Sequence, residues 1–145
     1  MYKVLITGAA GFIGFYLTKS LLDDGHKILG IDNVNDYYSQ KQKLDNLRIL
    51  YTYPNFYFTK GDIVDTDIIS RVKPQKICHL AAMAGVRYSI ENPLKYARTN
   101  VLGTLHLLEE CIKNDIKYFI YASSSSVYGK NEKVPFSETD IIMRQ

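Results

Sequence analysis

Gly8, Gly11 and Gly14, in TGAAGFIG, recur every third residue between an apolar run and a helical pattern. A strand turning sharply into a helix leaves the first helical N–H groups unpaired, with partial positive charge suited to a diphosphate. Gly8 would permit the tight turn, Gly11 a close backbone approach to a pyrophosphate, and Gly14 the packing of the helix on the sheet. Phe12 and Ile13 open that helix and supply N–H groups. Asp32 closes the second apolar run, followed by Asn33. A carboxylate there accepts hydrogen bonds from a ribose and repels a 2′-phosphate, which favours NAD. A glycine pattern alone is a weak signal; its position after a strand and before a helix supports it here. A plain strand–turn–helix with convenient glycines is the alternative.

A second candidate for chemistry is YASSSSVYG, residues 121–129, where hydroxyls end an apolar run. Taken alone, any one of Ser123, Ser124, Ser125 and Ser126 reads as a satisfied strand-end hydroxyl. No metal-ligand spacing exists: His26, His79 and His106 stand apart, and His79 reads as a hydrogen-bonded imidazole near the core. Cys78 and Cys111 lie inside apolar segments and read as buried, reduced thiols.

Positioning these residues requires a sheet. KVLITG (3–8), HKILGID (26–32), NFYFTKGDI (55–63), KICHLAA (76–82) and IKYFIYAS (116–123) are short apolar strands. Between them, FIGFYLTKSLLDDG (12–25), SQKQKLDNLRILY (39–51), DTDIISRV (65–72) and NPLKYARTNVLGTLHLLEECIKN (92–114) have helical character. Gly25 supplies a left-handed stop and Pro93 a first-turn proline. Apolar strands alternating with helices predict an α/β fold, a doubly wound parallel sheet with right-handed crossovers. No internal boundary is drawn.

The chain has 145 residues, 46% of them hydrophobic and 23% charged, with a formal net charge of +3. One globular domain with its own core fits these values. The basic residues are scattered, which gives no case for nucleic acid. No apolar stretch reaches the roughly 18 residues that a membrane span requires, and the N-terminus reads straight into a strand. A cytoplasmic location is the default expectation.

The G-x-x-G-x-x-G spacing resembles that of the extended short-chain dehydrogenase/reductase family. GDI (61–63) is similar to the family's adenine contact, which implies that Asp62 accepts from the exocyclic amine and Ile63 offers its N–H. HLAA (79–82) resembles the fourth-strand end beside the cofactor, implying contacts from Leu80, Ala81 and Ala82. Asn100 resembles the helix asparagine that steadies that strand end. IDNVNDYYS (31–39), AAMAGVRYSIENP (81–93) and YASSSSVYG resemble the bacterial and plant UDP-glucuronate 4-epimerases. The resemblance implies a Rossmann-type sheet of order 3-2-1-4-5, NAD as cofactor, a UDP-sugar substrate and room for a homodimer.

The resemblance also assigns the serines. Ser124 takes the place of the residue that hydrogen-bonds the sugar 4-hydroxyl, Ser123 lies nearer the nicotinamide, and Ser125 and Ser126 are structural or line the sugar pocket, Ser125 being the substrate candidate. Related dehydratases carry Asp-Glu after the first of these positions; Ser125 and Ser126 stand there, which favours epimerisation. Arg87, read in a loop after the fourth strand, is a candidate for the substrate diphosphate or carboxylate, with a solvated loop arginine as the alternative. The family base is a tyrosine with a lysine four residues on, and only Tyr37 and Lys41 have that spacing. They follow the second strand and read as an accidental pair. The expectation is therefore that residues 1–145 form the N-terminal part of an NAD-binding domain, without the catalytic Tyr-x-x-x-Lys or the C-terminal substrate domain. A non-catalytic NAD-binding module and a nucleotide-sugar dehydratase or reductase are the competing readings.

Overall fold

The computed structural model describes residues 3–140 and 142. Five strands, β1 (Val4–Thr7), β2 (Ile28–Asp32), β3 (Phe56–Lys60), β4 (Lys76–His79) and β5 (Tyr118–Tyr121), form one sheet in the order β3-β2-β1-β4-β5. Every pairing is parallel, with Val4 opposite Ile28 on one side and opposite Lys76 on the other. This is the Rossmann-type order that the family resemblance implies, on the parallel sheet expected from the alternation of strands and helices.

The central strands are apolar up to their last residues, Thr7 and Asp32, because both of their faces are covered. Val4, Ile6 and Ile28 pack with Phe15 and Leu22 of α1 (Phe12–Asp23) and Leu47 and Leu50 of α2 (Gln40–Leu50). On the opposite face Leu5, Leu29, Ile31 and Ile77 meet Ile68 and Ile69 of α3 (Ile68–Val72) and Leu107 and Cys111 of α6 (Thr104–Lys113). Each buried Leu or Ile contributes about 1.5–3 kcal/mol through area removed from water. Gly25, with φ +80°, ends α1 in the left-handed conformation.

Two expectations change. The segment containing Arg87 is a short helix, α4 (Val86–Glu91), not a loop. None of its residues is buried, so no amphipathic pattern marks it in the sequence. The long helix expected over 92–114 runs from α5 (Pro93–Tyr96) into α6, but Ala97–Gly103 between them is π-helical. Of the two cysteines, Cys111 is buried and Cys78 half-buried; burial raises the pKa of both thiols.

Candidate functional site

The glycine turn is built by close approach. Gly8 has φ +70°, and a Cβ there would lie 2.8 Å from the Ala81 nitrogen at the end of β4. A Cβ on Gly14 would lie 2.0 Å from the Gly8 carbonyl oxygen, so α1 closes on the turn itself rather than on the sheet. Gly11 caps α1 without any side-chain hydrogen bond. Within the helix the N–H groups of the first turn have no partner; that of Phe12 meets the Tyr38 hydroxyl. The glycines add no side-chain bulk there, and the Tyr38 hydroxyl stands 3.3 Å from where a Gly11 Cβ would lie.

Asp32 lies beside this turn, 7% exposed. Its Oδ2 accepts the Ala10 N–H at 3.2 Å and its Oδ1 accepts the Val34 N–H at 2.8 Å. Those two bonds aim the carboxylate across the top of β2 and still leave it lone pairs for a hydroxyl. Asn33 donates to Asp62 Oδ2 at 3.4 Å, joining the ends of β2 and β3. Asp62 Oδ1 accepts the Val64 N–H at 3.3 Å.

One cleft gathers Gly8, Gly11, Phe12, Ile13, Gly14, Asp32, Asn33, Asp62, Ile63, Leu80, Ala81 and Ala82. It lies at the carboxyl ends of the strands, where open α/β sheets hold ligands. A second cleft adjoins it and shares Leu80–Ala84, while adding Asn100, Tyr121, Ser123 and Ser124. Ser123, assigned with the cofactor residues, therefore lines the second cleft and not the first. Arg87 and Ser125 line neither cleft, and both are exposed. Ser124 caps a 3-10 turn, Ser125–Tyr128, by accepting the Ser126 N–H at 3.0 Å. Its own O–H makes no hydrogen bond to another described residue.

The wall between the clefts is held by a directed hydrogen-bond chain. Thr7 Oγ1 accepts the N–H groups of Leu80 at 3.1 Å and Ala81 at 3.0 Å. With both lone pairs engaged, its hydrogen goes to His79 Nδ1, 2.7 Å away. His79 Nε2 then donates to Thr104 Oγ1 at 3.0 Å, and Thr104 donates to the Asn100 carbonyl at 2.8 Å. His79 is the satisfied near-core imidazole expected, and burial lowers its pKa to about 4. Asn100 grips Met83 with both arms: Oδ1 accepts its N–H at 2.8 Å and Nδ2 donates to its carbonyl at 2.9 Å. The steadying thus falls on the loop after β4, and it is made from the π-helical stretch. Widened turns of this kind are frequent where a helix is shaped for function.

Three further residues shape the clefts; in the sequence neither Tyr96 nor Lys43 stands out, and Tyr37 does so only as half of an accidental pair. Tyr37 and Tyr96 both donate to the Ala84 carbonyl, and Tyr96 also to Gly85 O at 2.9 Å. Burial and the neighbouring Tyr37 push the Tyr96 phenol up to about 12, so it stays protonated and donating. Tyr37 lines the first cleft with its hydroxyl committed to Ala84, and Lys41 is exposed. The third is Lys43, which lines the first cleft with its side chain 6% exposed. In the sequence it is one polar residue among several on α2.

Residues 5–143 match the family model described as GDP-mannose 4,6 dehydratase. Protein CapI of Staphylococcus aureus is 47% identical over 144 residues, covering 97% of this chain and 43% of its own length. UDP-glucuronate 4-epimerase 4 of Arabidopsis thaliana is 44% identical over 142 residues, covering 94% of this chain and 32% of its own. The crystal structure of UDP-glucuronic acid 4-epimerase from Bacillus cereus with UDP-glucuronic acid and NAD superposes with a TM-score of 0.83. It is 36% identical, and the match covers 97% of this chain and 46% of that one. The chain spans less than half the length of the curated relatives it matches. No helix among the described residues is long and apolar enough to cross a membrane. Sequence match, strand order and glycine turn agree: the chain belongs to the epimerase/dehydratase family of extended short-chain dehydrogenases/reductases that this model describes.

Proposed function

We propose that this chain is the dinucleotide-binding part of an NAD-dependent 4-epimerase of nucleotide sugars, of the UDP-glucuronate/UDP-galacturonate type. The observation that carries the reading is the junction of the two clefts along Leu80–Ala84. A dinucleotide in the first cleft reaches the wall behind which Ser123 and Ser124 face the second. NAD would supply the acceptor and donor of the hydride exchanged at the sugar C4.

The chain's own residues supply binding and orientation. Gly8, Gly11, Phe12, Ile13 and Gly14 cradle the diphosphate, and Asp32 with Asn33 holds the adenosine ribose. Asp62 and Ile63 border the adenine, and Leu80, Ala81 and Ala82 form the floor that Asn100 braces. Ser124 donates from its O–H to the sugar 4-hydroxyl oxygen, with Ser123 beside it. Neither Ser125 nor Ser126 supplies an acid or base for water loss, which favours epimerisation over dehydration. Arg87 and Ser125 flank residues of the second cleft without lining it and stay candidate substrate contacts.

As 145 residues, the chain binds NAD and does not turn over the sugar, because Tyr37 of its one Tyr-x-x-x-Lys pair is committed to Ala84 and Lys41 is exposed away from both clefts. Calorimetric titration of the chain with NAD, and an assay with UDP-glucuronate, test the two halves of the reading. Saturable binding that weakens at least tenfold in Asp32→Ala, with no product sugar, is expected. Absence of binding would overturn the dinucleotide assignment; sustained turnover would overturn the reading of Tyr37 and Lys41. A non-catalytic NAD-binding module is the second reading, favoured by that same commitment of Tyr37 to Ala84.

A further inference from the structure

Lys43 is a charged side chain taken almost wholly out of water in the wall of the first cleft. Such a group is costly unless its donors are used. Its ammonium donates to Asn35 Oδ1 at 2.9 Å and sits 4.8 Å from the Tyr38 ring centroid. Asp32 Oδ1 is 3.7 Å away, close enough for an ion pair and too far for a hydrogen bond. An ammonium has three N–H donors, and one here has a well-formed partner. The cation therefore stands beside the carboxylate assigned to the ribose, with capacity left for another oxygen.

We propose that Lys43 is a cofactor-binding residue that works with Asp32 as a matched pair: the carboxylate accepts from one ribose hydroxyl while the ammonium donates to the ribose oxygens. This rests on the first cleft being the dinucleotide site. The pairing has a consequence for selectivity. A pocket that binds a 2′-phosphate needs a cation at this point, and Lys43 already supplies one. Asp32 alone then excludes the phosphorylated cofactor, and removing its charge exposes a latent NADP site. A purely structural Lys43, present only to neutralise Asp32, would give no such coupling.

The test is fluorescence titration with NADH and NADPH of the wild-type chain, Asp32→Asn, Lys43→Met and the double variant. Affinity ratios are read within each preparation, and Lys43→Gln, which keeps a donor for Asn35, serves as a second replacement should the methionine variant fold poorly. The wild type is expected to prefer NADH at least tenfold. Asp32→Asn is expected to shift that preference at least tenfold toward NADPH, and the shift is expected to vanish when Lys43 is also replaced. Equal ratios in Asp32→Asn and in both double variants would overturn the role of Lys43. Equal binding of NADH by the wild type and Lys43→Gln would also overturn it. If the wild type binds neither dinucleotide, the assignment of the cleft falls, and this proposal with it.

Discussion

The interior of the sheet and its β5 edge are built differently. On the β1–β2 side both strands are buried along their whole length, and the residues of the first cleft are tied to backbone or to each other. On the β5 side Tyr118, Ile120 and Tyr121 are each 61% exposed, Ser123–Ser126 are exposed, and α4 buries nothing. Between them stands the β4 end, fixed by Thr7, His79, Thr104 and Asn100. The difference teaches that the dinucleotide half is preorganised by its own core. The serine half borrows its geometry from that shared wall, so damage should spread from the first cleft to the second and not the reverse.

The largest effect should come from the turn. Gly14→Val places atoms against the Gly8 carbonyl, where even a Cβ would be 2.0 Å away. Overpacking of this kind costs roughly 3 kcal/mol or more. Urea unfolding should register that loss, and dinucleotide binding should vanish. A stable, binding-competent variant would mean that the close approach is unimportant.

The shared wall should respond to acid. His79 is held neutral, with a folded pKa of about 4 against 6.5 for the free side chain. The unfolded chain therefore binds more protons between those values, and stability falls as pH drops from 6.5 toward 4. The contribution is roughly 3 kcal/mol at about 1.4 kcal/mol per pH unit. Protonation would also turn Nδ1 into a donor facing the Thr7 hydroxyl hydrogen. Unfolding free energies measured across that interval should decline in the wild type, and the part due to His79 should disappear in His79→Gln. An identical slope in both would remove His79 from the account.

Smaller losses should follow at Asn100 and Ser124. Asn100→Leu deletes two hydrogen bonds to Met83, a loss of about 2 kcal/mol for part-buried polar groups left unpaired. Hydrogen exchange at the Met83 amide should quicken more than tenfold while β1 amides keep their protection. Ser124→Ala removes one exposed cap and should cost about 0.5 kcal/mol, with NAD affinity unchanged. A drop in NAD affinity there would break the contrast between the halves.

What was legible in the sequence was local. An apolar run, three glycines and a helical pattern fix β1, the turn and α1, because each is decided by neighbours a few residues away. Asp32 was legible for the same reason, standing where a strand ends. Lys43 was not, since its burial depends on the chain after β2 folding over it, and a lysine on a polar helix face carries no such mark. The Tyr37 and Tyr96 bonds to Ala84 join segments far apart in the chain, and the π-helical stretch around Asn100 leaves no composition signal. Arg87 was misplaced because a short helix that buries nothing has no periodicity to read. Of the four serines, residue type identified the hydroxyls, but only the fold could say which of them faces a cleft.

The central claim, that one cleft at the carboxyl ends of β1, β2 and β4 takes the dinucleotide, is tested most directly by an amide-resolved NMR titration with NAD. The predicted result is saturable shifts at Gly8, Gly11–Gly14, Asp32–Asn33 and Leu80–Ala82, with α3 and the C-terminal half of α6 unmoved. Shifts absent from the glycine turn and Asp32, or saturable shifts centred elsewhere, would contradict it.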